Sequence, residues 1–291
     1  MAGGKEVKME NQMKPGKVAV IGCGFVGSAT AFALMQSKLF TEMVLLDIDF
    51  DKADGEAMDI AHGIPFAGQM KIYAGNYEDI ADAGIIIITA GANQKPDETR
   101  LDLVNKNIAV YKNIIPKIAV QGFEGILLIV SNPVDILTYA AVKLSGFPEN
   151  RVIGAGTVLD TARLKYALSE HLGVDSRNLH SFIIGEHGDS EIAAWSSTNV
   201  SGIPLDDFCE MRGHFNHEQA MREIAEDVKN SAYEIIEKKN AAYYGIALSM
   251  PAIVGANGVE THVPISLNEE ESKALNHSVE TISGIVSQLS L

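Results

Sequence analysis

The chain has 291 residues, of which 46% are hydrophobic and 21% charged, enough to bury a full core and, on length, better suited to two ordinary domains than to one large one. A formal net charge of −15 sets it against polyanionic partners. Nucleic acid and anionic membrane would both repel it, whereas a small anionic substrate needs only a local group of cations.

Residues 1–14 are expected to form a polar tail, since MAGGKEVKMENQMKPG has none of the apolar stretch of a signal peptide. From Lys17 to about residue 155, apolar β-rich runs alternate with helix-length segments: KVAVIG (17–22), MVLLDI (43–48), MKIYA (70–74), GIIIITAG (84–91), GILLIVSN (125–132) and RVIGAG (151–156). The longest of these are strand-sized and none could span a bilayer. Strands apolar on both faces, separated by helices, predict that residues 15–155 fold as a doubly wound parallel sheet covered on both sides. Beyond residue 156 the pattern changes. A helix is predicted from about Asp160 to Leu172, stopped by Gly173. Short β-like pieces follow, then a long helix over 218–237 with Met221, Ile224, Val228 and Ile235 on one face. A last helix opens at Asn268, with Glu271 completing a capping box, and aligns Leu275, Val279 and Ile282. Residues 156–291 are therefore expected to form a second, mixed α+β domain. Cys23 and Cys209 lie far apart without metal-like neighbours, which points to a reducing cytoplasm and to no metal site.

VAVIGCGFVGSATA (18–31) carries G-x-G-x-x-G at Gly22, Gly24 and Gly27, after the first strand and at the start of a helix, the context in which that motif binds a dinucleotide. Gly22 makes the turn, Gly24 lets a pyrophosphate approach, and Gly27 lets the helix pack on the strand, with the helix N-terminus facing the phosphates. Twenty residues beyond Gly27 stands Asp47, a carboxylate placed to accept ribose hydroxyls and to repel a 2′-phosphate, so NAD is favoured over NADP. On this stretch alone an FAD or nucleoside-methyl-donor domain remains open.

Three further stretches sit just past strand ends, where open α/β sheets place their ligands. TAGANQKPDETRLDLV (89–104) leaves the fourth strand at Gly91 and carries Arg100 on a polar loop suited to closing over a ligand. Standing alone, it reads first as a surface loop with a solvated arginine. VSNPVDIL (130–137) presents Asn132, either as a cap for the next helix or as a ligand to substrate. GTVLDTARL (156–164) puts Asp160 and Arg163 on one helix face, otherwise a weak surface ion pair. FIIGEHGDSE (182–191) sets His187 between Gly185 and Gly188 after an apolar run. Reduction of a ketone by a nicotinamide needs a proton donor near neutrality, a carboxylate behind it, and a planar fork for a substrate carboxylate. His187, Asp160, Arg163 and Arg100 supply that set.

At this point the sequence resembles the lactate/malate dehydrogenase family, most closely its bacterial L-lactate dehydrogenase branch. The resemblance covers nearly the whole chain after Lys14, and the strings that carry it are IGCGFVGSA, AGANQKPDETRLDLVNKN, SNPVD, GTVLDTARL and IIGEHGDSE. The resemblance implies an NAD-dependent enzyme interconverting pyruvate and (S)-lactate. It implies His187 as acid–base residue with Asp160 as its partner, Arg163 clamping the substrate carboxylate, and Arg100 polarising the carbonyl. Asn132 would bond substrate and help place the nicotinamide. Val26, Asp47, Lys52, Tyr77, Gly91, Ala92, Asn113 and Val130 would line the NAD site. The malate branch has arginine where Gln94 stands, and an uncharged Gln94 would leave the second carboxylate of oxaloacetate unpaired in a closed site.

Two departures from the family stand out. Threonine is usual at Ala242, so the pocket is expected to be looser and to admit larger 2-oxo acids. YYGIALSM runs straight into PAIVGANGVE, where the family has a few dozen more residues. The second domain is thus expected to be shortened around Ser249–Pro251, with an Asn257-Gly258 hairpin following. Bacterial relatives bind fructose 1,6-bisphosphate between subunits through an arginine and a histidine. His180 matches the histidine and Lys165 replaces the arginine, keeping the charge and losing the bidentate fork. Relatives also imply a homotetramer. Two other readings stay open: a malate or broader 2-hydroxy acid dehydrogenase, and a dinucleotide-binding protein inactivated by the shortened second domain.

Overall fold

The computed structural model describes residues 14–92, 100–214, 216–239, 242 and 252–289, with the side chains of Pro15 and Arg100 outside that description. The first half runs β1 (Lys14–Ile21), α1 (Phe25–Ser37), β2 (Glu42–Leu46), α2 (Phe50–Ala61), β3 (Lys71–Ala74), β4 (Ala83–Ile88), α3 (Arg100–Ala119), β5 (Ile126–Ile129), α4 (Val134–Ser145) and β6 (Val152–Gly154). Its six strands pair in the order β3-β2-β1-β4-β5-β6, all parallel. The order reverses between β1 and β4, which opens a crevice at the carboxyl ends of those two strands.

The two-sided apolar character of the strands has a direct structural counterpart. Val18, Val20, Met43, Leu45 and Ile87 pack with Ala31 and Met35 of α1 and Ala53, Ala57 and Ile60 of α2. Their immediate neighbours Ala19, Ile21, Val44, Leu46, Ile86 and Ile88 point the other way, onto Val104, Ile108, Tyr111 and Ile115 of α3 and Ile136, Leu137 and Ala140 of α4. A period-two strand with apolar residues at every position can only be satisfied by helices on both faces.

The predicted strands are too long at their carboxyl ends. The ladder stops at Ile88, Ile129 and Gly154, short of Gly91, Asn132 and Gly156. Side-chain bonds replace it: Thr89 Oγ1 donates to Gly22 O at 2.7 Å, and Ser131 Oγ donates to Ala90 O at 2.7 Å. The residues beyond are turned out of the sheet into the crevice.

The second half contains α5 (Val158–Leu172), β7 (Leu179–His180), β8 (Ile183–Ile184), β9 (Ile192–Ala193), β10 (Asn199–Val200), β11 (Ile203–Pro204), α6 (Leu205–Arg212), α7 (His217–Lys239), β12 (Ala252–Gly255), β13 (Gly258–His262) and α8 (Glu269–Val286). Its core joins Leu164, Leu168 and Leu172 of α5 to Leu179, Ile183, Cys209, and Met221 and Val228 of α7. The hairpin predicted at Asn257-Gly258 is present as antiparallel β12–β13. In α8 the capping box of Asn268 and Glu271 forms as expected. Its inward face does not follow the predicted apolar line, because Val279 is 53% exposed while Ser278 is 0% exposed. Ser278 is drawn inward by hydrogen bonds to the loop that carries His187, described below. The changed stretch at 249–251 lies outside the described residues.

Candidate active site

The glycine loop between β1 and α1 has the geometry of a phosphate cradle. Gly22 sits at φ +102, and a Cβ there would meet Ala90 N at 2.6 Å. A Cβ on Gly27 would meet Gly22 O at 1.8 Å, so α1 lies against the end of β1 as closely as a bare Cα allows. A Cβ on Gly24, at the α1 N-cap, would meet nothing within 4 Å. That open side, at a helix start whose first N–H groups have no partner within the helix, fits the pyrophosphate of a dinucleotide. Asp47, just past β2, accepts the Cys23 N–H through Oδ2 at 2.6 Å and the Asp49 N–H through Oδ1 at 3.1 Å. It thus anchors the loop, and each of its oxygens can accept a further hydrogen bond. Val26 is half-buried in the first turn of α1, and Lys52 is exposed in the first turn of α2.

Across the crevice, the loops after β4 and β5 are tied together by Asn107 of α3, which the sequence reading passed over. Its Oδ1 accepts the Ala92 N–H at 2.6 Å, and its Nδ2 donates to Asn132 O at 2.8 Å. Gly91 leaves room for this, since a Cβ there would stand 3.3 Å from Asn107 Oδ1. Val130 is half-buried at the end of β5. Asn132 is exposed and does not cap α4, whose N-cap is Pro133 with no side-chain bond. The capping alternative is therefore removed.

The acid–base cluster is assembled from α5 and the loop between β8 and β9. Asp160 is 2% exposed. Its Oδ2 lies 2.5 Å from His187 Nδ1 and its Oδ1 accepts from Arg163 Nη1 at 2.9 Å. The Asp160–Arg163 pair, which its spacing alone leaves open to being a weak surface contact, is buried at one end and joined to the histidine. Arg163 makes no other hydrogen bond among the described residues, so most of its planar fork stays available.

The backbone around His187 is held by two residues that sequence reasoning did not single out. Asp135, in the first turn of α4, accepts the His187 N–H at 3.0 Å. Ser278 of α8 accepts the Glu186 N–H at 2.7 Å. Gly185, at φ +91, is needed here, as a Cβ would come within 2.7 Å of Ser278 Oγ. Burial works to lower the proton affinity of His187, but the hydrogen bond and charge of Asp160, with Glu191 and Asp135, outweigh it and hold the imidazole above its usual range. Burial holds the Asp135 carboxyl above the usual carboxylate range, although it accepts the His187 N–H.

Other predicted residues lie apart from this cluster. Tyr77 stands after β3 with its ring packed against the core and Lys117 Nζ 5.4 Å from its centroid. Asn113 is exposed on α3, Ala242 is half-buried in coil, Lys165 is half-buried on α5, and His180 is exposed on β7. Gln94 and the Arg100 side chain lie outside the described residues; Arg100 begins α3.

Comparison with known proteins bears on the whole chain. Residues 16–154 match the NAD binding domain of lactate/malate dehydrogenase, and residues 157–250 match the alpha/beta C-terminal domain of the same proteins. The chain is 48% identical to an L-lactate dehydrogenase of Acetivibrio thermocellus, over 97% of this chain and 100% of the relative. It is 46% identical to L-lactate dehydrogenase 1 of Clostridium acetobutylicum, over 91% of this chain and 96% of the relative. Among solved structures, the minor L-lactate dehydrogenase of Enterococcus mundtii superimposes with a TM-score of 0.89 at 36% identity, covering 97% of this chain and 100% of that one. The Acetivibrio alignment runs over 317 positions against a chain of 291 residues, so part of that relative has no counterpart here.

Proposed function

The chain belongs to the lactate/malate dehydrogenase family, and on that premise we propose that it is an NAD-dependent L-lactate dehydrogenase with His187 as the acid–base residue. The observation that carries the reading is the line Arg163–Asp160–His187, three residues joined through one buried carboxylate beside the crevice of the sheet. When bound, the dinucleotide supplies the hydride that reduces the 2-oxo acid. His187 gives its proton to the developing alkoxide oxygen. Asp160 fixes the ring with Nδ1–H toward itself, which leaves Nε2 for substrate, and it stabilises the imidazolium. Arg163, held edge-on by Asp160, offers its remaining N–H groups to the substrate carboxylate. Arg100 and Asn132 stabilise charge on the reacting oxygen.

Gln94 sets the preference for pyruvate, because it provides no cation for the second carboxylate of oxaloacetate, and Ala242 enlarges the space for the substrate side chain. Val26, Asp47, Lys52, Tyr77, Gly91, Ala92, Asn113 and Val130 belong to the NAD site on this reading. The division into a cofactor part up to residue 155 and a substrate part from 156 is supported by the adjoining family matches. Assembly as a homotetramer in the cytoplasm, in a glycolytic or fermentative step, goes with the same reading, as does a fructose 1,6-bisphosphate site at Lys165 and His180. Support for the last is that α5 and β7, which bear the two residues, pack on each other. Among the described residues, no helix is long and apolar enough to cross a membrane.

The test is steady-state turnover of NADH with pyruvate and with oxaloacetate. Faster pyruvate reduction is expected; faster oxaloacetate reduction overturns the role of Gln94 in favour of a malate dehydrogenase. NADH binding without turnover of any 2-oxo acid overturns the enzyme reading in favour of an inactive dinucleotide-binding protein.

A further inference from the structure

The Asp160–His187 pair has a third ionisable neighbour to which the sequence reading gave no part. Glu191 follows His187 by one turn of loop and immediately precedes β9. One carboxyl oxygen from Glu191, one from Asp160 and a ring nitrogen of His187 lie within 4.8 Å of one another. Glu191 Oε1 is buried and has no hydrogen-bond partner among the described residues. We propose that Glu191 is a positioning residue for the proton transfer, a third member of the cluster whose charge sets the pH range over which His187 keeps its proton. The inference rests on the reading of His187 as the acid–base residue.

The groups around Glu191 decide which carboxyl carries charge. Asp160 accepts from two cationic side chains, an arrangement suited to an ionised carboxylate. Glu191 has no such pair of donors, and two carboxylates so close resist ionising together. Burial and the Asp160 charge push Glu191 up to about 8, against the pull of His187, Arg163 and Lys229. Glu191 is thus a neutral acid near neutrality and acquires its charge as the pH rises through about 8. The new charge beside the imidazole then favours the imidazolium, as does that of Asp135 on the other side.

Glu191 also lines an open cavity of about 390 Å³ with Ile183, Trp195, Arg222, Glu226 and Lys229. His187 is not among the residues that line it, so this cavity gives Glu191 a path for proton exchange with solvent. Arg222, Glu226 and Lys229 of α7 are the charged groups facing Glu191 from that element. No proton is created or lost in this scheme: Glu191 gives its own to solvent as pH rises, and His187 retains the one it delivers to substrate.

The test compares the parent protein with Glu191→Gln and Glu191→Asp. The His187 ring is titrated by NMR without ligand, its signal assigned by its loss in His187→Gln, and kcat/KM for pyruvate is followed against pH. In Glu191→Gln the His187 midpoint and the alkaline limb of the profile should both move to lower pH by roughly 0.5–1 unit, the effect of removing a partly ionised neighbour. Glu191→Asp should return both toward the parent. NADH binding by fluorescence reports that each variant is folded. An unmoved midpoint and limb in Glu191→Gln overturn the inference, as does an equal fall in kcat at every pH with no displacement. A parent protein that does not reduce pyruvate ends the functional reading, and the NMR midpoints still judge Glu191 independently.

Discussion

Asp160→Asn keeps the shape of the buried side chain and removes its charge. In the parent, that charge faces His187 Nδ1 at 2.5 Å and Arg163 Nη1 at 2.9 Å. A carboxylate this close favours the imidazolium both by accepting the Nδ1–H and by its opposite charge. Without it, burial, the largest influence on His187, acts to lower its proton affinity with only Glu191 and Asp135 opposing. The imidazolium should be less favoured, kcat/KM for pyruvate at pH 7 should fall by roughly 100-fold or more as the acid–base group loses its partner, and the alkaline limb should move to lower pH. The assay is the loss of NADH absorbance at saturating NADH from pH 5 to 9. NADH affinity, measured by fluorescence, should stay within about threefold, because the glycine cradle stands on other elements. A limb that stays in place, with a pH 7 rate within about threefold of the parent, would refute the claim that Asp160 sustains the imidazolium.

Three further outcomes are expected. Gly27→Ala drives a methyl group into Gly22 O, 1.8 Å from its ideal Cβ position, and should lower the Tm by roughly 3–10 °C; Gly24→Ala meets nothing within 4 Å and should leave the Tm within about 2 °C while weakening NADH binding tenfold or more. Asn107→Ala strands the Ala92 N–H and Asn132 O contacts, costing about 1–3 kcal/mol in thermal melts and slowing turnover as the two loops lose their common anchor. Glu191→Gln should be stabilising relative to the parent by an amount that grows with pH. The folded carboxyl, pushed up to about 8, binds its proton more tightly than the unfolded chain, so the parent loses stability between the ordinary carboxyl range and pH 8 while the amide does not. Paired melts at pH 5 and pH 8 check this, and an equal Tm difference at both would contradict it.

What the sequence determined by itself was everything carried by short-range pattern. Strand runs apolar at every position demanded helices on both faces, and the Val18/Ala19 alternation delivers one residue to each. The glycine spacing works within one strand–turn–helix unit, so Gly22 and Gly27 could be assigned their roles before any coordinates. The Asn268–Glu271 box is equally local. Only tertiary structure decided where polar residues find partners. The residue types named His187, Asp160 and Arg163 as one set, but spacing left Asp160 and Arg163 open to being only a surface pair at i, i+3; the fold decides it, because His187, 27 residues away, closes on the same carboxylate. Ser278 displaced Val279 from the inward face of α8 because its partner, the Glu186 N–H, lies 92 residues back. Asn107, Asp135 and Glu191 carry no periodic signal for the same reason. A polar side chain's worth depends on which donor, acceptor or charge the fold places beside it in the absence of water, and that neighbour is not written near it in the chain.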